Sequence, residues 1–228
     1  MAFLKQTKTN VFLYLICILL LLSGCLTSAK LDKFVASQYN NELPKPSKKK
    51  KADIEVTSQL KSDNSQISTT THKTDNFLPL IIYWKYNHRQ SCILNSSIAV
   101  TNFSNAVNNM ATKTLIDKLN GRKLELTVEQ APAAFSVVLK ENMIWLVYAF
   151  AWEKVYIEPD KKDLIVTYKL VGGEGDKTGK VTVKNTDKNV GLRYFQSWKS
   201  ATSEYLSEYN AHFTTMTKNF VTQLTSEL

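Results

Sequence analysis

Three cysteines and three histidines are the only thiols and imidazoles in 228 residues, so soft-nucleophile or metal chemistry has few places to sit. Cys25 closes the run Leu22-Ser23-Gly24-Cys25. Its thiol is the side chain best suited to accept a thioether, and its small neighbours leave an extended backbone open to a peptidase. His88 and Cys92 lie four apart near a strand end, but a structural metal site needs three or four ligands. His72 falls in the tether of residues 25–76, so within residues 77–228 only His212 is left to join them, and it follows Glu208 by one helical turn, which reads as a local polar pair. Glu125 and Glu129 share one face of a strand, yet four residues along a strand is roughly 13 Å, too far for paired acid–base work. Gly172 to Lys180 (GGEGDKTGK) suggests a phosphate loop. Glu174 stands where glycine is required, however, and Val181 where Ser or Thr would reach a metal, so a hairpin loop is expected. No nucleophile elbow and no His-Glu-x-x-His helix occurs. The expectation is a protein that is not an enzyme, with no catalytic residues, no metal and no cofactor.

The setting of Cys25 carries more information. Lys5 and Lys8 lie in a polar start, and an apolar run from Val11 to Leu22 follows. About a dozen residues are too few to span a bilayer and suit a signal-peptide core. With Leu22-Ser23-Gly24-Cys25 at its end, the segment resembles the signal sequence and lipobox of bacterial lipoproteins. That resemblance implies a diacylglyceryl thioether on Cys25, cleavage before it, and acylation of the new amine, palmitate being the expected class of chain. Several acyl chains, at about 0.8 kcal/mol per buried methylene, anchor stably. Leu26 lacks the aspartate character that retains many lipoproteins in the inner membrane, which implies the outer membrane if the host has one. A signal cleaved elsewhere, or left uncleaved, is the competing reading; the short apolar run and the missing stop-transfer pattern disfavour the uncleaved form.

Residues 1–24 are then a signal peptide, and Cys17 leaves with it. Lipidated Cys25 leaves Cys92 alone, so no intramolecular disulfide is expected. The net charge of +9 is spread along the chain rather than gathered into a nucleic-acid footprint. Export makes nucleic acid an unexpected partner as well. Residues 25–76 are rich in Ser, Thr, Asn, Gln and Lys, and Pro44 and Pro46 interrupt them. They read as the lipidated cysteine and a flexible, disordered tether. Within it, Lys48 to Lys51 could clamp anionic lipid or simply stay solvated.

Residues 77–228 carry the folded domain. Leu80 to Tyr86 suits a strand. Asn95-Ser96-Ser97 offers an N-cap to an amphipathic helix through Phe103, Val107, Met110 and Leu119, and Asn120-Gly121 stops it. Leu124, Leu126 and Val128 alternate as a half-buried strand, Phe135 to Leu139 extends, and Glu141-Asn142 is expected to turn. Met143 to Ile157 reads as the central strand, its small residues on one face admitting a helix. Pro159 to Lys162 turns, Leu164 to Val171 returns as a strand, and Lys180 to Lys184 alternates. Trp198, Ala201, Tyr205, Tyr209, Phe213, Met216, Phe220, Leu224 and Leu228 then mark one face of a long helix.

The order of elements predicts an α+β fold: an antiparallel sheet with one mid-domain helix and one long C-terminal helix on one face. In this topology, and in carrying a lipobox, the chain is similar to small envelope lipoproteins of lipopolysaccharide assembly and of lipid transport. The function expected is that of a non-enzymatic, membrane-anchored lipoprotein docking onto an envelope protein partner. The alternative is a lipid-tethered binding protein for a small ligand, peptide or glycan. A helix of about 45 Å should overhang a sheet of ordinary width, which makes Met216, Phe220 and Leu224 the candidate partner-binding residues.

Overall fold

Alternation of apolar and polar residues builds nine strands, and capped amphipathic segments build four helices, among the described residues. The computed structural model describes residues 26–47, 52–60, 65–145, 149–173, 175–193 and 196–228. In order these are α1 (Ser28–Gln38), β1 (Ile54–Ser58), β2 (Ser68–Pro79), β3 (Tyr83–Leu94), α2 (Ser96–Met110), α3 (Lys113–Leu119) and β4 (Lys123–Gln130). There follow β5 (Ala134–Trp145), β6 (Ala149–Pro159), β7 (Leu164–Val171), β8 (Lys177–Val183), β9 (Val190–Gly191) and α4 (Trp198–Glu227). Residues 1–24, expected to be a signal peptide, with Cys17 among them, Cys25 and the Lys48–Lys51 run lie outside the described residues.

The fold is α+β, but it holds two sheets rather than one. A four-stranded sheet runs β1-β4-β7-β8 and a five-stranded antiparallel sheet runs β2-β3-β5-β6-β9. In the first, β1 lies parallel to β4, Ile54 opposite Leu124. A parallel neighbour needs a long crossover, and here β2, β3, α2 and α3 supply it. Leu124, Leu126, Val128, Leu164, Val166 and Leu170 point into one core with Phe103, Leu115 and Phe220. Phe135, Val137, Ile157 and Cys92 form a second core with Leu31, Val35, Tyr205 and Tyr209.

The long helix joins the two cores. Its first half buries Ala201, Tyr205, Leu206 and Tyr209 on the five-stranded sheet. Its second half buries Phe213, Met216, Phe220, Val221 and Leu224 on the four-stranded sheet. Ser197 caps its start by accepting from the Ser200 N–H at 3.2 Å. The expected overhang is therefore absent, because the helix has two sheets to cover rather than one. Phe103 of α2 meets Phe220 edge-on, with centroids 5.2 Å apart, and the Tyr209 hydroxyl donates to the Pro132 carbonyl at 2.8 Å.

Further expectations are corrected. Leu80 to Ile82 form the bend between β2 and β3 rather than a strand, and the single helix expected to run to Asn120 breaks at Ala111-Thr112 into α2 and α3. Much of residues 26–76 is not a tether but part of the fold. Leu31 and Val35, one turn apart on α1, are fully buried, as is Ile54 of β1. Asp32 fastens α1 to the edge strand: it accepts from the Ser68 hydroxyl at 2.8 Å, the Thr70 hydroxyl at 2.6 Å and the Thr70 N–H at 3.0 Å. Sparse apolar residues suffice because each falls on the inward face. The run from Met143 to Ile157, in turn, is not one central strand. It divides between β5 and β6, which pair as a hairpin from Phe135–Pro159 out to Trp145–Ala149. Glu141-Asn142 does not turn; β5 continues straight through it.

Candidate functional site

The five-stranded sheet is longer than the helices that cover it. α1 and the start of α4 pack over Cys92, Phe135, Val137 and Ile157. Beyond them β3, β5 and β6 run on uncovered toward two apolar hairpin ends. Where the cover stops, an open cleft of about 550 Å³ is walled by Tyr86, His88, Leu139, Glu141, Glu153 and Val155 of the sheet. Leu26, Leu192, Gln196 and Trp198 close its other side. A neighbouring hollow of about 330 Å³ extends it past Trp84, Met143 and Ala151.

Register explains this set of residues. Tyr86 pairs with Glu141 and Glu141 with Glu153, so the three share one face of adjacent strands. Directly opposed side chains have Cβ atoms roughly 5 Å apart, and like charges there repel. The next rung repeats the pattern on the other face, where Lys140 lies opposite Lys154. The cleft face is thus acidic and the opposite face basic at nearly the same level. Glu125 and Glu129 drew notice because they are close in sequence, whereas Glu141 and Glu153 are brought together by strand pairing alone. Only the pattern of the hairpin, whose turn carries no Gly, Pro or Asn, could have revealed them.

His88 joins the cleft to the strand edge. Its Nδ1 is 2.7 Å from His72 Nε2 of β2 and 3.1 Å from the Tyr86 hydroxyl, and its Nε2 is 3.1 Å from the Gln90 amide. Desolvation, then the neighbouring His72, pushes the His88 pKa below its ordinary 6.5, so it stays neutral at pH 7. Cys92 is on the same face but fully buried, and burial pushes its thiol up to about 11. Among the described residues no three His, Cys, Asp or Glu side chains gather as metal ligands.

The other sequence candidates fall elsewhere. His212 pairs with Asp187 at 3.0 Å rather than with Glu208. Glu129 meets Lys180 at 2.6 Å and Glu125 meets Lys123 at 3.0 Å, both on the wet face of the four-stranded sheet. Gly172 to Lys180 connects and enters the β7–β8 hairpin, as expected. Gly179 is required there because a Cβ would overlap the ring of Tyr168 on the neighbouring strand. Met216, Phe220 and Leu224 are buried at 2%, 0% and 0% exposure. They are core residues with no surface to offer a partner. No helix among the described residues is long and apolar enough to cross a membrane. No family model matches the chain, nor does any curated protein or solved structure.

Proposed function

We propose that this chain is a non-enzymatic, lipid-anchored envelope lipoprotein that docks an envelope partner in the cleft at the uncovered part of its five-stranded sheet. The supporting observation is the cleft itself: open, aromatic and apolar in its walls, with an unusual pair of facing carboxylates. Its shape suits a segment of polypeptide better than an enclosed small molecule, because one side stays open to solvent. Leu26 lies in its wall. If Cys25 carries lipid as the lipobox implies, the cleft is held next to the membrane surface.

Two measurements test this reading. Cys25→Ser should abolish acyl labelling and membrane fractionation, because serine cannot form the thioether. A photoreactive residue at position 153 should capture a discrete envelope protein in cells expressing the anchored chain. Capture should fade when Glu141→Lys reverses charge in the wall. Membrane-bound, labelled Cys25→Ser protein would sink the anchor; absence of any protein adduct at position 153 would sink the docking.

A second reading has its own observation. Glu141 and Glu153 face each other beside Tyr86, an arrangement that favours a cationic group over an anionic one. A small cationic amphiphile that saturates the purified protein, with loss on Glu153→Gln, would select the tethered ligand-binding alternative.

A further inference from the structure

The two hairpin ends beyond the cleft are apolar on both faces. On the β2–β3 end Leu80, Ile81 and Ile82 are 50%, 96% and 56% exposed. On the β5–β6 end Trp145, Phe150 and Trp152 are about half exposed as well. The ends lie side by side, since the Trp145 N–H donates to the Ile82 carbonyl at 2.7 Å. Strand alternation puts Trp84, Met143 and Trp145 on one face, and Ile144 and Phe150 on the other. A protein partner resting on the sheet would cover one face and leave the other wet. A medium that surrounds the end covers both.

We infer that these paired hairpin ends sit in the interfacial layer of the membrane that carries the protein, with phospholipid as their occupant. The inference rests on the lipoprotein reading for its placement: Leu26 follows the lipid-bearing Cys25 and already lines the cleft behind the ends. The lipid therefore leaves the domain on the side of the hairpin ends. Tryptophan and tyrosine favour the headgroup level, where the ring is apolar and its N–H or O–H stays wet.

Charge sets the depth. Lys85, opposite Asn142, is the charge nearest the ends, three residues behind Trp145, and Glu141, Lys140, Glu153 and Lys154 form a belt one and two residues further back. Three residues of strand amount to about 10 Å, enough to carry the ends through a headgroup layer of roughly 5–8 Å to the hydrocarbon boundary. The lysines of the belt can meet lipid phosphates, while the carboxylates lie on the cleft side. Deeper entry is opposed by the backbone. β2 and the outer part of β6 have no strand on their outer sides among the described residues, and unpaired N–H and C=O groups are costly in hydrocarbon.

The test uses the full chain as cells process it, reconstituted into vesicles of phosphatidylethanolamine and phosphatidylglycerol with brominated acyl chains. Three of the four tryptophans belong to the hairpin ends, so quenching of about two-fold is expected if they reach the interface. The double variant Ile81→Glu, Phe150→Glu should lose that quenching while still floating with the vesicles and melting as the parent does. Flotation and the mass of the N-terminal fragment read the anchor independently. Acylated, floating protein without quenching overturns this inference and leaves the anchor standing. Quenching of a chain that proves unacylated supports the inference and overturns the anchor. A photoreactive residue at position 81 that captures protein instead of phospholipid in cells overturns it in favour of a protein partner.

Discussion

Cys92 shows how far a residue's environment can differ from its chemistry on paper. Its thiol sits on the sheet face beneath α1, fully buried. Desolvation lifts its pKa from 9.0 to about 11, against a smaller downward pull from hydrogen bonds with Thr70 and Ser68. A thiol held neutral in the fold stabilises it in full below the unfolded value, and the gain is lost as pH rises from 9 toward 11. Tyr39, raised from 10.0 to about 12 by burial, adds to the same slope. We expect the urea midpoint to fall across this range, and to fall less steeply in Cys92→Ala; an unchanged slope in the variant would remove the thiol from the account. The native thiol should also resist alkylation at neutral pH until the chain unfolds. Phe220 carries a second residue-scale expectation. At 0% exposure against Phe103, Phe220→Ala should cost about 3–5 kcal/mol. A variant that melts like the parent would return Phe220 to the surface role first expected of it.

At the scale of elements, the chain shows which signals survive in sequence. The stripe from Trp198 to Leu228 and the alternation of Leu124, Leu126 and Val128 were legible because each depends only on local period. The N-cap at Asn95 and the stop at Asn120, whose φ is 48°, were legible for the same reason. What the stripe packs against was not, because a helix face does not say whether one sheet or two lie beneath it. The β5–β6 turn was hidden by its own composition, since Trp145 to Ala149 holds no turn-forming residue. α1 was hidden by average composition: two inward residues, Leu31 and Val35, are enough when Asp32 binds the neighbouring strand three times. Leu31→Ala should therefore cost about 2–5 kcal/mol and Asp32→Ala about 1.5–3 kcal/mol, both read from urea denaturation of the full chain. If neither variant shifts the midpoint, α1 contributes nothing to the fold and the tether reading returns.

For the whole molecule the question is how two cores become one cooperative unit. The four-stranded and five-stranded sheets share no strand, and two helices bury residues in both cores: α2, with Ile98 in one and Ala99, Phe103 and Val107 in the other, and α4, which spans both along its length. Its change of allegiance falls between Tyr209 and Phe213, with exposed Ala211 at the junction. Ala211→Pro removes the N–H donated to the preceding turn and sets the ring against its carbonyl, at about 3 kcal/mol or more. It touches neither core directly. The tryptophans provide a selective probe, because Trp84, Trp145, Trp152 and Trp198 all lie with the five-stranded sheet or its helical cover. Far-ultraviolet circular dichroism reports both sheets. In the parent chain the two signals should lose structure at the same urea concentration, the mark of one transition. In Ala211→Pro they should separate, because each core then unfolds on its own stability. Ala211→Gly controls for helix propensity: it should cost about 1 kcal/mol and leave the transitions coincident. If the proline variant is weakened yet its two signals still coincide, the coupling runs instead through α2, whose Asn102 amide donates to Asn210 at 3.3 Å.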